Sequence, residues 1–120
     1  MLYEKETGEI IGAAMKVLNA LRPGLDEKLY ENGLIKELSK RGYRTEQQRP
    51  FPVLYDGESI GTLIPDLIVD RVVLVDAKVV SDFNDTHIAQ MIGYLNITGL
   101  KVGLLINFKY ATLRFKRVVA

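Results

Sequence analysis

The sequence predicts an α/β fold in which helices flank a mixed central sheet. Two helical apolar repeats open the chain, strand-like segments fill its middle, and a further helix precedes two final strands. The predicted element order is therefore α-α-β-β-β-β-α-β-β. At 120 residues the chain has the length of one ordinary domain, so we expect a single domain over residues 1–120.

The first two helices are predicted from apolar residues that recur three and four positions apart. The first extends from Tyr3 to about Leu21, where the sequence RPG breaks the repeat. The second is expected from Leu25 to Arg41, with Gly42 as its C-terminal stop. The residues expected to face inward are Ile10, Ile11, Ala14, Val17, Leu18 and Leu21 in the first helix and Leu29, Leu34 and Leu38 in the second.

The middle of the chain has the pattern of short strands joined by tight turns. Residues 43–55 predict two strands, and two prolines within them restrict this part to an edge or a bend. The DG dipeptide at 56–57 predicts a hairpin turn into a strand over 59–69. The DR dipeptide at 70–71 predicts a second turn before a strand over 72–80. We therefore expect three antiparallel strands in a side-by-side meander.

The last third of the chain predicts one helix and two strands. Residues 81–99 have the pattern of a loop followed by a helix, with Asp85 or Thr86 able to cap its start and the final glycine able to end it. Residues 101–108 are nearly all apolar, which predicts an interior strand rather than an edge. Residues 113–120 predict a short final strand.

Composition excludes several classes of site. The chain has no cysteine, which excludes disulfides, zinc–thiolate sites and thiol nucleophiles. The net charge of +1 neither supports nor excludes an anionic partner. The N-terminal segment has a helical rhythm rather than the features of a signal peptide, and no apolar run has the length of a membrane span. We expect a cytoplasmic protein without a membrane partner.

Three charged residues, Asp66, Asp76 and Lys78, interrupt the apolar strand segments. Asp76 and Lys78 are two residues apart and therefore share a face of the strand, while Ala77 points to the opposite layer. Antiparallel pairing across the tight turn can bring Asp66 near Asp76, and two close carboxylates repel unless one is protonated or a cation lies between them. One explanation is a metal site; the alternative is an edge strand in which Lys78 neutralises Asp76.

The oxygen donors of this group predict the type of metal. Carboxylates without neighbouring histidine or cysteine suit Mg²⁺ or Mn²⁺ rather than zinc. A lysine beside such a site can orient an attacking water or stabilise charge that develops on a phosphate. Together these groups are the parts of a metal-dependent phosphodiesterase.

The same residues carry a resemblance to a known family. The PD at 65–66, followed ten residues later by the DAK at 76–78, resembles the core signature of the PD-(D/E)XK nuclease superfamily. The sequence GLDEKLY at 24–30 resembles the motif of the small GxxExxY proteins of that superfamily, and residues 88–108 are similar to the family's C-terminal half. The resemblance covers roughly residues 20–118 and implies a restriction-endonuclease-like fold.

The resemblance also implies a role for each matching residue. Glu27 would be the helix acid that completes the metal shell, with Asp66 and Asp76 as the strand ligands. Lys78 would be the catalytic lysine, and Gln90 would support the site or touch nucleic acid. Family members mostly carry glutamate where this chain has Asp76, a shorter carboxylate that superfamily nucleases also use. The implied cofactor is Mg²⁺ or Mn²⁺, and the implied partner is DNA or RNA.

Other polar residues have both a structural and a functional interpretation. Tyr30 is expected to be a packing residue whose hydroxyl binds a neighbour. His87, Gln90 and Tyr94 form a polar stripe on the predicted third helix, which could line a cleft, although a histidine near a helix start is usually a capping or surface group. A basic C-terminal run could contact phosphates or be simply solvated. The run consists of Lys109, Arg114, Lys116 and Arg117.

Three functions are therefore open at the level of sequence. The leading hypothesis is a metal-dependent nuclease that hydrolyses phosphodiester bonds. The alternatives are a binding module of the same fold that does not cut, and a structural homodimer whose charges are internal ion pairs. A homodimer is also compatible with the nuclease hypothesis, because it would double the surface that can hold a duplex.

Overall fold

The computed structural model describes residues 1–120 and contains three helices and seven strands. No helix combines the length and the hydropathy that a membrane span requires. In chain order the elements are α1 (Glu4–Leu21), α2 (Glu27–Lys40), β1 (Thr45–Gln47), β2 (Phe51–Tyr55), β3 (Glu58–Leu63), β4 (Leu67–Val69), β5 (Val73–Lys78), α3 (Asp85–Thr98), β6 (Val102–Asn107) and β7 (Arg114–Val119).

The strands form two separate sheets. The larger sheet has the order β1-β4-β5-β6-β7, and the smaller sheet contains only β2 and β3. Within the larger sheet β5 and β6 are parallel and the other pairs are antiparallel. The parallel pair is joined through α3, as a parallel connection requires a crossover. The predicted mixed sheet flanked by helices is thus confirmed, and β6 is an interior strand as expected.

The predicted strand over 59–69 is in fact two strands. β3 ends at Leu63 and β4 begins at Leu67, because Pro65 has no N–H to donate to a continuous ladder. β3 pairs with β2, whereas β4 pairs with β1 and β5. The predicted three-stranded meander is therefore wrong, and five strands rather than four precede α3.

The two faces of the larger sheet pack against different helices. Side chains alternate along each strand, so Val73, Val75 and Ala77 of β5 join a core of 18 buried residues that includes α1 and α2. Leu74 faces the other way and joins a second cluster of only five buried residues beneath α3. That second cluster consists of Leu74, Met91, Leu95, Leu105 and Val118.

The inward-facing residues of the first two helices were predicted correctly in most positions. Leu34 and Leu38 are buried, but Leu29 is 49% exposed because Tyr30 occupies the inward position of that turn. Leu21, the last residue of α1, is 41% exposed, so its predicted burial is also wrong. Ile11 packs at the margin of the core. The predicted residues that are buried in α1 are Ile10, Ala14, Val17 and Leu18.

The start of α3 differs from the prediction by one residue. Asn84, rather than Asp85 or Thr86, caps the helix. Its side-chain oxygen accepts a hydrogen bond from His87 N at 2.9 Å, and His87 Nδ1 accepts one from Asn84 N at 3.2 Å. This reciprocal arrangement satisfies two backbone donors at once. The predicted stop at Gly99 has a φ of 77°, a left-handed conformation that favours glycine.

Candidate active site

The pairing of β4 with β5 brings the two strand aspartates to neighbouring positions. Leu67 lies opposite Val75, and Ile68 lies opposite Leu74. Asp66 directly precedes Leu67 and Asp76 directly follows Val75, so the two aspartates adjoin the same end of this pairing. Asp76 alternates with Val75 and therefore lies on the same face of β5 as Leu74, the face that packs against α3. Asp66 lines the cleft beside the start of α2.

Asp76 is a buried carboxylate with one cationic partner. Its side chain lies in an interior strand, and the residue is only 8% exposed. Burial raises the pKa of Asp76 to about 6, the Lys78 ammonium opposes this shift, and the neighbouring Asp66 carboxylate adds to it. Lys78 Nζ lies 3.1 Å from Asp76 Oδ2. The ion pair is thus present, but the edge-strand explanation is wrong because β5 lies between β4 and β6.

Glu27 is at the N-terminal end of α2 and lies beside the end of β5. It is the first residue of α2, and its Oε1 accepts a hydrogen bond from Val79 N at 3.1 Å. Glu27, Asp66 and Val79 line one open cleft of about 550 Å³. Glu27 is therefore close to the strand that carries Asp76 and Lys78, on the side where Asp66 lies.

The carboxylates do not form a ready three-ligand cluster. No group of three or more His, Cys, Asp or Glu side chains has the geometry to hold a metal ion. Asp76 and Lys78 share one face of β5 with Asp66 beside Asp76, while Glu27 reaches the end of β5 from α2. Asp66, Asp76 and Lys78 thus provide two carboxylates and a neighbouring ammonium group.

Tyr30 and the loop before α2 determine where Glu27 lies. The Tyr30 hydroxyl donates to Arg22 O at 2.6 Å and accepts from Leu25 N at 3.1 Å, so it closes the loop that leads into the helix. Within that loop Gly24 has a φ of 115°, which side-chain-bearing residues rarely adopt. The glycine, glutamate and tyrosine of the GLDEKLY segment thus act together in placing the helix start. Tyr30 is a packing and hydrogen-bonding residue, in agreement with its interpretation from sequence.

The ends of β5 and β6 are fixed by contacts to the chain that follows them. The Asn107 amide donates to Val80 O at 2.8 Å, and its oxygen accepts from Val80 N at 3.2 Å. Phe108 N donates to Lys78 O at 2.9 Å, and the Phe108 ring stacks on Tyr30 with centroids 4.7 Å apart. These contacts hold the backbone of Lys78 in place and connect it to α2.

Glu31 lies on the same side of α2 as Glu27, as its sequence spacing indicates, but its burial was not expected. A glutamate on a helix is usually solvated, but Glu31 is only 4% exposed and lines the same cleft as Glu27. Its carboxylate accepts hydrogen bonds from Lys28 Nζ at 3.1 Å and from the Gln47 amide. Its spacing of four residues from Glu27 explains why both line this cleft, but that spacing does not indicate burial.

The polar stripe of α3 is not hydrogen-bonded to the carboxylates. Gln90 is exposed and donates from Nε2 to the Tyr94 hydroxyl at 3.0 Å. His87 caps its own helix, as a histidine near a helix start commonly does. The stripe thus exists on the helix surface, but neither Gln90 nor His87 has Asp76 or Lys78 as a hydrogen-bond partner.

Comparison with known proteins identifies the family. The sequence matches the family model described as the PD-(D/E)XK nuclease superfamily over residues 4–118. Comparisons with curated proteins and with solved structures found no match. The match extends from the first residue of α1 to the penultimate residue of β7, a range that contains the two aspartates and the lysine. The chain therefore belongs to the PD-(D/E)XK nuclease superfamily.

Proposed function

We propose that the protein hydrolyses phosphodiester bonds in nucleic acid with the help of a divalent cation. The observation that carries this proposal is the Asp66 carboxylate beside the buried Asp76–Lys78 ion pair, in a chain of a nuclease superfamily. Two neighbouring carboxylates and a lysine are groups that metal-assisted hydrolysis uses.

The donor set fits Mg²⁺ or Mn²⁺. All candidate ligands are carboxylate oxygens, without histidine or cysteine among them. Asp66 and Asp76 would hold the ion, and Glu27 would complete the shell from α2. Burial together with the Asp66 charge raises the pKa of Asp76 to about 6, so a further positive charge at this place is electrostatically favourable. When bound, the ion supplies Lewis acidity toward a phosphate oxygen or a water.

Lys78 has the catalytic role in this proposal. Its ammonium lies 3.1 Å from Asp76 Oδ2, and its side chain is 14% exposed. A cation fixed in a poorly hydrated position stabilises developing phosphate charge more strongly than a mobile surface lysine does. Gln90 is the proposed contact to nucleic acid, since it is exposed and its amide oxygen accepts no hydrogen bond from the protein.

A binding module that does not cut is the second candidate function. The observation that favours it is the lack of a three-ligand metal cluster. In that case the Asp76–Lys78 ion pair would have a structural role, and the nuclease fold would serve only to hold nucleic acid. The remaining alternative is a structural homodimer that binds no nucleic acid and in which Asp76 and Lys78 form an internal ion pair.

One experiment separates these candidates. Mg²⁺ and Mn²⁺ are titrated by calorimetry into the wild type and Asp76→Asn, and cleavage of labelled single-stranded and duplex DNA and RNA is assayed in parallel. The proposal expects the wild type to bind the ions and cut, and Asp76→Asn to do neither. Glu58→Gln, a change to an exposed carboxylate in β3, is the control that should leave both unchanged.

Each contrary outcome identifies one alternative. Salt-dependent binding of nucleic acid without metal-stimulated cleavage on any substrate would contradict the nuclease proposal in favour of the binding module. A wild type that binds neither metal nor nucleic acid would leave the structural ion pair as the explanation of Asp76 and Lys78.

A further inference from the structure

Positive charge is concentrated in the last part of the chain. All 15 acidic residues lie within residues 1–85, whereas residues 86–120 contain five of the 16 basic residues and no acidic one. The near-zero net charge of the whole protein therefore conceals a basic C-terminal segment. This segment includes β6 and β7, so the position of its cations on the sheet decides what they can contact.

The sheet register places two of these cations on the face that carries the candidate active site. Residues paired across neighbouring strands share a sheet face. The pairing of β5, β6 and β7 therefore gives two rows of three residues that point toward the same side of the sheet. The edge strand β7 thereby contributes one cation to each row. The rows are Asp76–Leu105–Lys116 and Lys78–Asn107–Arg114.

Arg114 and Lys116 are free to bind a ligand. Both are exposed, and neither forms an ion pair within the protein. The Arg114 guanidinium lies over the Tyr110 ring, 4.7 Å from its centroid, which restricts its orientation. Arg117 differs, because it points to the other face and donates to Leu2 O and Thr7 Oγ1. Arg114 and Lys116 together are called the basic strip below.

The surroundings of the carboxylates favour one direction for a phosphate-bearing chain. The cleft on the α2 side is lined by four acidic residues and one lysine, so it repels phosphates. The basic strip lies on the opposite side, two strand spacings or about 10 Å from β5. The acidic residues of the cleft are Asp26, Glu27, Glu31 and Asp66.

We propose that the basic strip binds backbone phosphates of a nucleic acid strand that extends from the aspartates past the ends of β5 and β6 to the edge strand β7. The strand passes beyond the ends because Leu105 and Asn107, which lie between β5 and β7 on this face, are fully buried. The choice of nucleic acid as the ligand rests on the proposed function. The strip contributes affinity and direction without reading sequence, because phosphate contacts are the same for every base. Arg114 and Lys116 are thus positioning residues for the substrate strand and do not touch the reacting atoms.

The test measures binding without cleavage. Fluorescence anisotropy of labelled single-stranded and duplex DNA is recorded over a range of salt concentrations in the presence of EDTA. The double variant Arg114→Gln/Lys116→Gln should bind more weakly and lower the slope of log affinity against log salt by about 2, one for each lost phosphate contact. The charge-conserving variant Arg114→Lys/Lys116→Arg should retain most of the wild-type slope.

A matched control separates a local contact from a change in net charge. Lys36→Gln/Lys40→Gln removes two exposed, unpaired lysines from α2, on the other side of the sheet, and should leave the slope unchanged. An equal loss in both double variants, an unchanged slope in the strip variant, or a wild type that binds no oligonucleotide would overturn the proposal. Equally tight, strip-dependent binding of polyglutamate would overturn it in favour of an acidic protein partner.

Failure of this inference can be told apart from failure of the proposed function. Binding in EDTA does not require turnover, so a protein that never cuts can still show the strip-dependent slope. Conversely, metal-stimulated cleavage by the wild type together with an unchanged slope in the strip variant would overturn only the strip.

Discussion

The two faces of the five-stranded sheet differ in what they bury. The face toward α1 and α2 belongs to a core of 18 buried residues, whereas the face toward α3 contributes to a cluster of five. Strand β5 serves both, with Val75 on the first face and Asp76 beside it on the second. Because the first face supplies most of the apolar burial, the second face can hold charged side chains whose burial opposes folding.

The largest expected effect comes from moving a charge to the apolar face. Val75→Asp would bury a carboxylate with no cation beside it, and we expect a loss of about 3–5 kcal/mol in the free energy of unfolding. The double change Asp76→Asn/Lys78→Met removes both charges of the ion pair on the other face and leaves neither unpaired, so its cost should be much smaller. Urea unfolding followed by circular dichroism measures both. Equal costs would show that the faces do not differ in their tolerance of charge.

The next effect concerns catalysis on the α3 face. Under the proposed function Lys78→Ala should lower the cleavage rate by about 10²-fold or more, the range for removing one preorganised charge-stabilising group. Metal affinity should not fall, because removal of a nearby positive charge cannot weaken cation binding electrostatically. Single-turnover cleavage at saturating metal and calorimetry provide the two readouts. Lys101→Ala, at the other end of β6, is the control, and a rate loss there of similar size would contradict the assignment.

A smaller effect tests how tightly α3 packs on its face. A Cβ at Gly103 would lie 2.8 Å from Met91 Cγ, so Gly103→Ala should cost about 1–3 kcal/mol of stability. Gly93→Ala, within α3 where nothing lies near, should instead stabilise by up to about 1 kcal/mol. Thermal unfolding compares the two. If the cost of Gly103→Ala is the same in a Met91→Ala background, the collision with Met91 is not its cause.

The smallest effect is a shift in the titration of Asp76. Its folded pKa of about 6 lies above the ordinary value of 3.8, so its contribution to stability is present below about pH 4 and is lost as the pH rises to about 6. Asp66→Asn removes one cause of the raised pKa, so Asp76 should titrate at lower pH. Carbon NMR of the Asp76 carboxyl reports this directly. Asp56→Asn, in the exposed hairpin turn, should leave the titration unchanged.

Local patterns predicted most of the elements but not how the strands pair. The helical spacing predicted α1 and α2 to within two residues at each end, since a buried helix face leaves a repeat in the sequence. The pairing of β1 with β4 joins segments that the β2–β3 hairpin separates, and no local repeat records such a partner. Pro65 was the available sign that the long strand is interrupted.

The candidate site was predictable to the extent that it depends on strand geometry. Alternation along β5 correctly placed Asp76 and Lys78 on one face and Ala77 on the other. The position of Glu27 depends on how α2 docks through the contacts of Tyr30, which sequence spacing does not determine. The capping role of Asn84 was missed because several residues near it have side chains that suit a helix start.

The break at Pro65 has a consequence for how this fold can vary. The β2–β3 hairpin leaves the larger sheet after β1 and returns at β4, where Gln48 N donates to Asp66 O at 3.2 Å. This contact joins the two ends of the segment between β1 and β4. The length of that segment can therefore change without changing the strand pairing beside Asp66. Doubling such a loop adds only about 0.6 kcal/mol of closure entropy. The tip at Asp56 and Gly57 is therefore a natural point for grafting longer segments, which would extend the protein's reach while the sheet below keeps its order.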